Sequence, residues 1–161
     1  MLDALFVTPA ATAITEALAS AKADGRVAVI GNARIAKVLG TTRDVIPVAL
    51  SARAAKKLPK AIADLTGVAA ASLAAVIGVD LATDDDWQAT LRGWSRVVRD
   101  GGAIVFVDRG HSHEASRRAL CGGLSEIEQR HAGRSIITSG LVSHLAPLAD
   151  GTAASPAVVT P

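Results

Sequence analysis

The stretch WQATLRGWSRVVRDGGAIVFVDRG, residues 87–110, decides the fold. Trp87, Leu91, Trp94 and Val98 recur at helical spacing and line one face of an amphipathic helix. Asp84, Asp85 and Asp86 stand at its start, where carboxylates cap free N–H groups and oppose the helix dipole. Arg92, Arg96 and Arg99 fall on the rest of it, and Gly101-Gly102 predicts its end. AIVFVD (103–108) follows, an apolar, β-branched run of the kind buried on both faces in a parallel sheet.

The same alternation extends in both directions. PAATAITEALASAKA (9–23) predicts an Ala-rich helix begun at Thr8-Pro9 and closed by Asp24-Gly25. RVAVIG (26–31) is the first strand and NARIAKVLG (32–40) a short helix. DVIPVALS (44–51) is the second strand. Pro47 cannot donate to a ladder, which predicts an irregular or edge position. ARAAKKL (52–58) is a helix, KAIAD (60–64) a weak third strand and SLAAVIGVD (72–80) a fourth. HSHEASRRALCGGL (111–124) is mostly helix. SEIEQRHAG (125–133) and RSIITSGLVSHL (134–145) alternate, as an antiparallel pair does. The fold class is therefore α/β: a doubly wound, Rossmann-like, mostly parallel sheet with a C-terminal antiparallel hairpin and helices on both faces. Residues 1–147 form one domain in this reading, and 148–161, rich in Pro, Gly, Ser and Ala, a frayed tail.

Composition narrows the function classes. Ala fills 33 of 161 positions, and half the chain is apolar, enough for an independent core. One cysteine, Cys121, excludes a disulfide framework and a CxxC zinc site. No run of 18 apolar residues predicts a membrane span, and Asp3 stands where a secretory leader wants a cation. The expected location is cytoplasmic. The net charge of +2 is small, Tyr is absent, and Arg92, Arg96, Arg99, Arg117, Arg118, Arg130 and Arg134 are interleaved with Glu114, Glu126 and Glu128. A nucleic-acid partner is not expected on these grounds.

Over roughly residues 10–145, the order and spacing of elements resemble the class I S-adenosylmethionine-dependent methyltransferases. WQATLRGWSRVVRDGGAIVFVDRG is similar to that family's helix, Gly-Gly turn and fifth strand. GLSEIEQRHAGRSIITSGLV resembles its last two strands, and VIPVALSARAAKKL its second strand and following helix. The resemblance implies a cofactor loop of the form G-x-G-x-G after an acidic strand end. In VAVIGNARIAKVLG, Gly31 matches the first glycine, while Val29 stands at the acid and Ala33 and Ile35 at the later glycines. The acid that takes the ribose hydroxyls is matched by Ala49, which forfeits charged hydrogen bonds worth roughly 1.5–3 kcal/mol each. Asp64 matches the first acid of the adenine stretch, and Ala74 stands at a later one.

Two readings follow. In the first, the chain is a pseudoenzyme: a methyltransferase-like, non-catalytic binding, regulatory or scaffolding module with no cofactor, paired with a protein partner or with itself as a dimer. In the second, it is a small active methyltransferase, or a Rossmann-like binder of another nucleotide or metabolite. Gly31, Asn32 and Asp64 would then hold S-adenosylmethionine, and Asp80 or His111 would carry the acid/base step. Other polar residues expected at the strand ends are Ser51, Asp84, Arg109 and His113. Asp80 with one histidine could also hold a metal, but H-x-H spacing is weak evidence, and no metal site is assigned. Otherwise His111 opens a loop, and Ser112 or His113 caps the next helix. Cys121 reads as a buried inert thiol, and Trp87 and Trp94 as core or interface.

Overall fold

A computed structural model describes residues 2–144, with side chains from residue 9 onward, so the expected tail lies outside the described residues. Six strands form one sheet: β1 (Val27–Ile30), β2 (Val45–Val48), β3 (Leu73–Val79), β4 (Val98–Asp108), β5 (Ser125–Ala132) and β6 (Ser135–Leu141). Their order is β2-β1-β3-β4-β6-β5. The first four run parallel, and β6 is antiparallel to both β4 and β5. The helices are α1 (Leu2–Ser20), α2 (Ala33–Leu39), α3 (Ala52–Ala55), α4 (Trp87–Val97) and α5 (Ser112–Cys121), with a 3-10 turn at Leu81–Thr83.

The solid apolar strands do what their composition dictates: side chains alternate between two buried layers. Val27, Val29, Ile77, Val105 and Ile137 pack with Ile14, Leu18 and Ile35 on one face of the sheet. Ala28, Val76, Ile104 and Phe106 pack with Leu91, Trp94, Ala115 and Ala119 on the other.

Four local expectations are corrected. Helix α1 begins at Leu2, so Pro9 lies inside it rather than in its first turn. It closes before Asp24-Gly25. Lys22 turns at φ 50°, Ala23 N–H donates to Leu18 C=O at 2.9 Å, and Lys22 N–H donates to Ala19 C=O at 3.0 Å. That is a Schellman closure with lysine in the usual glycine place. The weak third strand reduces to one bridge, Ile62 beside Val48. Helix α4 stops at Val97, and Arg99, Gly101 and Gly102 belong to β4.

Pro47 sits on the outer strand, as its chemistry requires. The β1–β2 bonds run through the Asp44 and Val48 carbonyls, and Pro47, whose carbonyl accepts from Ile62 N–H at 2.9 Å on the side away from β1, leaves no gap in the β1–β2 ladder.

Candidate functional site

Ligands of open α/β sheets sit beyond the carboxyl ends of the strands. A cleft of about 390 Å³ lies there, with Gly31, Asn32, Arg34, Ile35, Asp80 and Arg109 on its walls. Four strand tips turn through positive φ: Gly31 (73°) after β1, Ala49 (53°) after β2, Asp80 (55°) after β3, and Gly110 (82°) with His111 (58°) after β4. Only two of these five residues are glycines, so the other three hold a conformation that L residues rarely adopt.

The β1 turn is built from its own side chain. Asn32 caps α2: its Oδ1 accepts from Arg34 N–H at 3.1 Å and Ile35 N–H at 3.0 Å. Its carbonyl accepts from Ala36 N–H. Gly31 N–H donates to Val48 C=O at 2.9 Å. The Gly31, Arg34 and Ile35 N–H groups of this turn therefore already have partners. Gly31 is needed for its φ, because a Cβ there would meet Val79 only at ordinary contact distance.

Of the positions that the resemblance assigns to S-adenosylmethionine, Gly31 and Asn32 line the cleft, and Val29, Ala49 and Asp64 do not. Val29 is fully buried in the core. Ile35 is 3% exposed, turned into the α1–α2 layer, with only its edge on the cleft. Ala49 brings no side-chain donor or acceptor to the β2 tip, and its N–H bonds Ile62 C=O. Asp64 does not line the cleft. It lies on a separate cavity of about 730 Å³ beside Arg26 and Lys60, at the amino ends of β1 and β3. There its carboxylate accepts from Thr66 N–H at 2.8 Å and from the Thr66 hydroxyl, which hold it below the usual carboxylate range.

Asp80 projects from an exposed αL turn onto the cleft wall. His111 occupies the N-cap position of α5 without a side-chain capping bond and does not line the cleft, and neither Ser112 nor His113 takes that position. Asp84, not Asp86, serves the start of α4. Its carboxylate accepts from Asp86 N–H at 2.9 Å and from Thr90 Oγ1 at 2.7 Å.

Sequence reading passed over Asp108, the last residue of AIVFVD. It is 2% exposed, its Oδ1 accepts from Ala82 N–H at 2.9 Å, and its Oδ2 has no partner. Burial raises its pKa. The Ala82 bond opposes that rise, the Asp80 charge adds to it, and His111 and Arg118 pull it down. An acid ending an apolar strand was the available signal. Ser51 caps α3 through Ala54 N–H at 3.4 Å. Cys121 is exposed rather than buried. Among the described residues, no three His, Cys, Asp or Glu side chains are grouped to hold a metal ion. No described helix is long and apolar enough to cross a membrane.

No protein-family model and no curated protein sequence matches the chain. Solved structures do. A methyltransferase of Thermotoga maritima described as S-adenosylmethionine-dependent, possibly a histamine N-methyltransferase, is 15% identical. The match covers 74% of this chain and 83% of that one, with a TM-score of 0.62. A Haloferax volcanii protein, a methyltransferase by its description, solved with a methyltransferase activator, is 13% identical over 74% and 83%, TM-score 0.62. A T. thermophilus 16S rRNA N2 methyltransferase, solved with AdoMet and guanosine, is 19% identical over 76% and 36%, TM-score 0.58. The chain has the fold of the class I S-adenosylmethionine-dependent methyltransferases.

Proposed function

We propose that this chain is a methyltransferase-fold module that does not perform methyl transfer and works by binding, with a protein partner or a second copy as its companion. The pairing of Asn32 with its own helix carries this reading. Two N–H groups of the turn that would approach a cofactor are taken by a side chain, while Val29, Ile35 and Ala49 leave the acid and glycine positions apolar. A cytoplasmic location goes with this reading. Calorimetric titration with S-adenosylmethionine and S-adenosylhomocysteine tests it, with thermal unfolding as a second readout. We expect no heat and no change in Tm at millimolar ligand. A native-state ligand at a hundredfold excess over Kd adds about 2.7 kcal/mol of stability, so micromolar binding would be visible and would overturn the proposal.

One observation favours a second reading. The cleft is open and polar, and Asp80 stands on its wall beside Gly31 and Asn32. An active enzyme, or a binder of another small metabolite, would use Gly31 and Asn32 to hold its ligand and Asp80 to move a proton, since His111 does not line the cleft. Heat with S-adenosylmethionine would select the enzyme.

A further inference from the structure

The whole-chain surplus of two positive charges hides a strong polarity. Residues 26–60 carry eight Lys or Arg and one acid, Asp44. That segment is basic by seven, which leaves the remainder acidic by five. The fold gathers most of these cations at one place, the amino-end corner of the sheet beside β2, opposite the cleft. Lys37, Arg43 and Lys60 line one cavity of about 480 Å³, and Arg26 and Lys60 line its neighbour. Asp44 joins the two: its carboxylate accepts from Arg26 Nε at 2.7 Å and Lys60 Nζ at 2.8 Å. Lys56 and Lys57 stand at the end of α3, just before Leu58-Pro59 of the same cavity wall. Arg26, Lys37, Lys56, Lys57 and Lys60 are exposed. Among the described residues, Lys37, Lys56 and Lys57 have no ion-pair partner. Asp24 and Asp64 are the nearest further acids in sequence.

We infer that this corner binds the phosphate backbone of a nucleic-acid duplex. Clustered cations on one surface are the electrostatic footprint of phosphate tracking. The composition of the corner separates this partner from others. Residues 26–60 contain no aromatic side chain, so there is no platform on which single-stranded bases stack. The same absence removes the aromatic anchors on which protein interfaces rely. Helix α3 is four residues long, too short for the amphipathic face that lies on a lipid surface. A regular duplex asks only for spaced charge.

The test is fluorescence anisotropy of a labelled DNA duplex titrated with the full chain between about 50 and 200 mM salt. Four to six phosphate contacts give a slope of log K against log salt of about −4 to −5. Lys56→Gln/Lys57→Gln makes that slope less negative by about two, and Lys37→Gln, on a different helix, by about one. Arg92→Gln/Arg99→Gln, exposed elsewhere, leaves it unchanged. Unchanged Tm in the lysine variants separates lost contacts from lost fold. The proposal fails if the duplex is not bound at the lower salt, or if the lysine variants bind as the parent does. It also fails if polyglutamate, or vesicles containing phosphatidylserine, bind as tightly as the duplex.

Discussion

Asp108 is a carboxylate kept from water with one oxygen unpaired. Its pKa is raised in the folded state, so between the unfolded and folded values the native protein binds more protons. Its contribution to stability therefore falls as pH rises from about 4 through the folded value. Asp108→Asn keeps an acceptor for Ala82 and removes the titration. The stability of the variant relative to the parent should rise with pH across that window, measured by urea unfolding at several pH values. A constant difference would show that Asp108 does not titrate there. Glu114 runs the opposite way: Arg117 and Arg118 hold it down to about 2, so its contribution is lost as the solution becomes more acid than its unfolded value. It is common to both proteins and cancels. Ala49 offers a second test. It is exposed at φ 53°, a conformation that costs a non-glycine residue about 1–2 kcal/mol. Ala49→Gly should stabilise by about 0.5–1 kcal/mol after the added freedom of the unfolded chain is discounted, read as a rise in the urea midpoint. Neither strain was legible in the sequence, because Ala49 and Asp80 are ordinary residues until a strand ends beneath them. Gly31 was legible, since a glycine after VAVI has few other uses.

At the scale of elements, the helix read from residues 84–102 was found and its end was not. Arg96-Val97-Val98-Arg99 keeps the helical period while its two β-branched valines also suit a strand, and only tertiary pairing decides. Val98 pairs with Leu73 and Ala103 with Ala75, and Gly101-Gly102 lie inside β4 within the register shift between those two pairs. Gly102 belongs there for space. A Cβ would lie 2.5 Å from Val98 Cγ1 and 2.7 Å from the Ala74 carbonyl. The approach of α4 to the sheet is set by another glycine. The Trp94 ring lies over Gly78 of β3, where a Cβ would fall 2.0 Å from the ring carbon Cη2. Gly78→Ala should therefore cost about 1–3 kcal/mol by overpacking, read by thermal or urea unfolding. Trp94→Leu in the same background should recover part of that loss, because the offending ring is gone. If the double variant is as unstable as the sum of the two single changes, the contact does not set the spacing.

Two apolar layers, one on each face of the sheet, are joined only through the strands, and α1 ties one of them together. It packs on α2 and reaches β4, β5 and β6, so it spans the parallel half and the antiparallel hairpin. The Ala-rich pattern announced this helix, but its reach across the sheet depended on the strand order, which periodicity does not contain. Ile14 is fully buried at its centre. Ile14→Ala should cost about 2–5 kcal/mol, a large share of the 5–15 kcal/mol that holds an ordinary domain. Trp87 and Trp94 lie in the opposite layer, so their fluorescence reports the far face while circular dichroism reports all helices. If the sheet couples the layers into one cooperative unit, both signals should move to the same lower urea midpoint. A tryptophan transition that stayed at the parent midpoint, while ellipticity fell early, would mean that α1 detaches alone. The layer under α4 and α5 would then be the stable body of the fold.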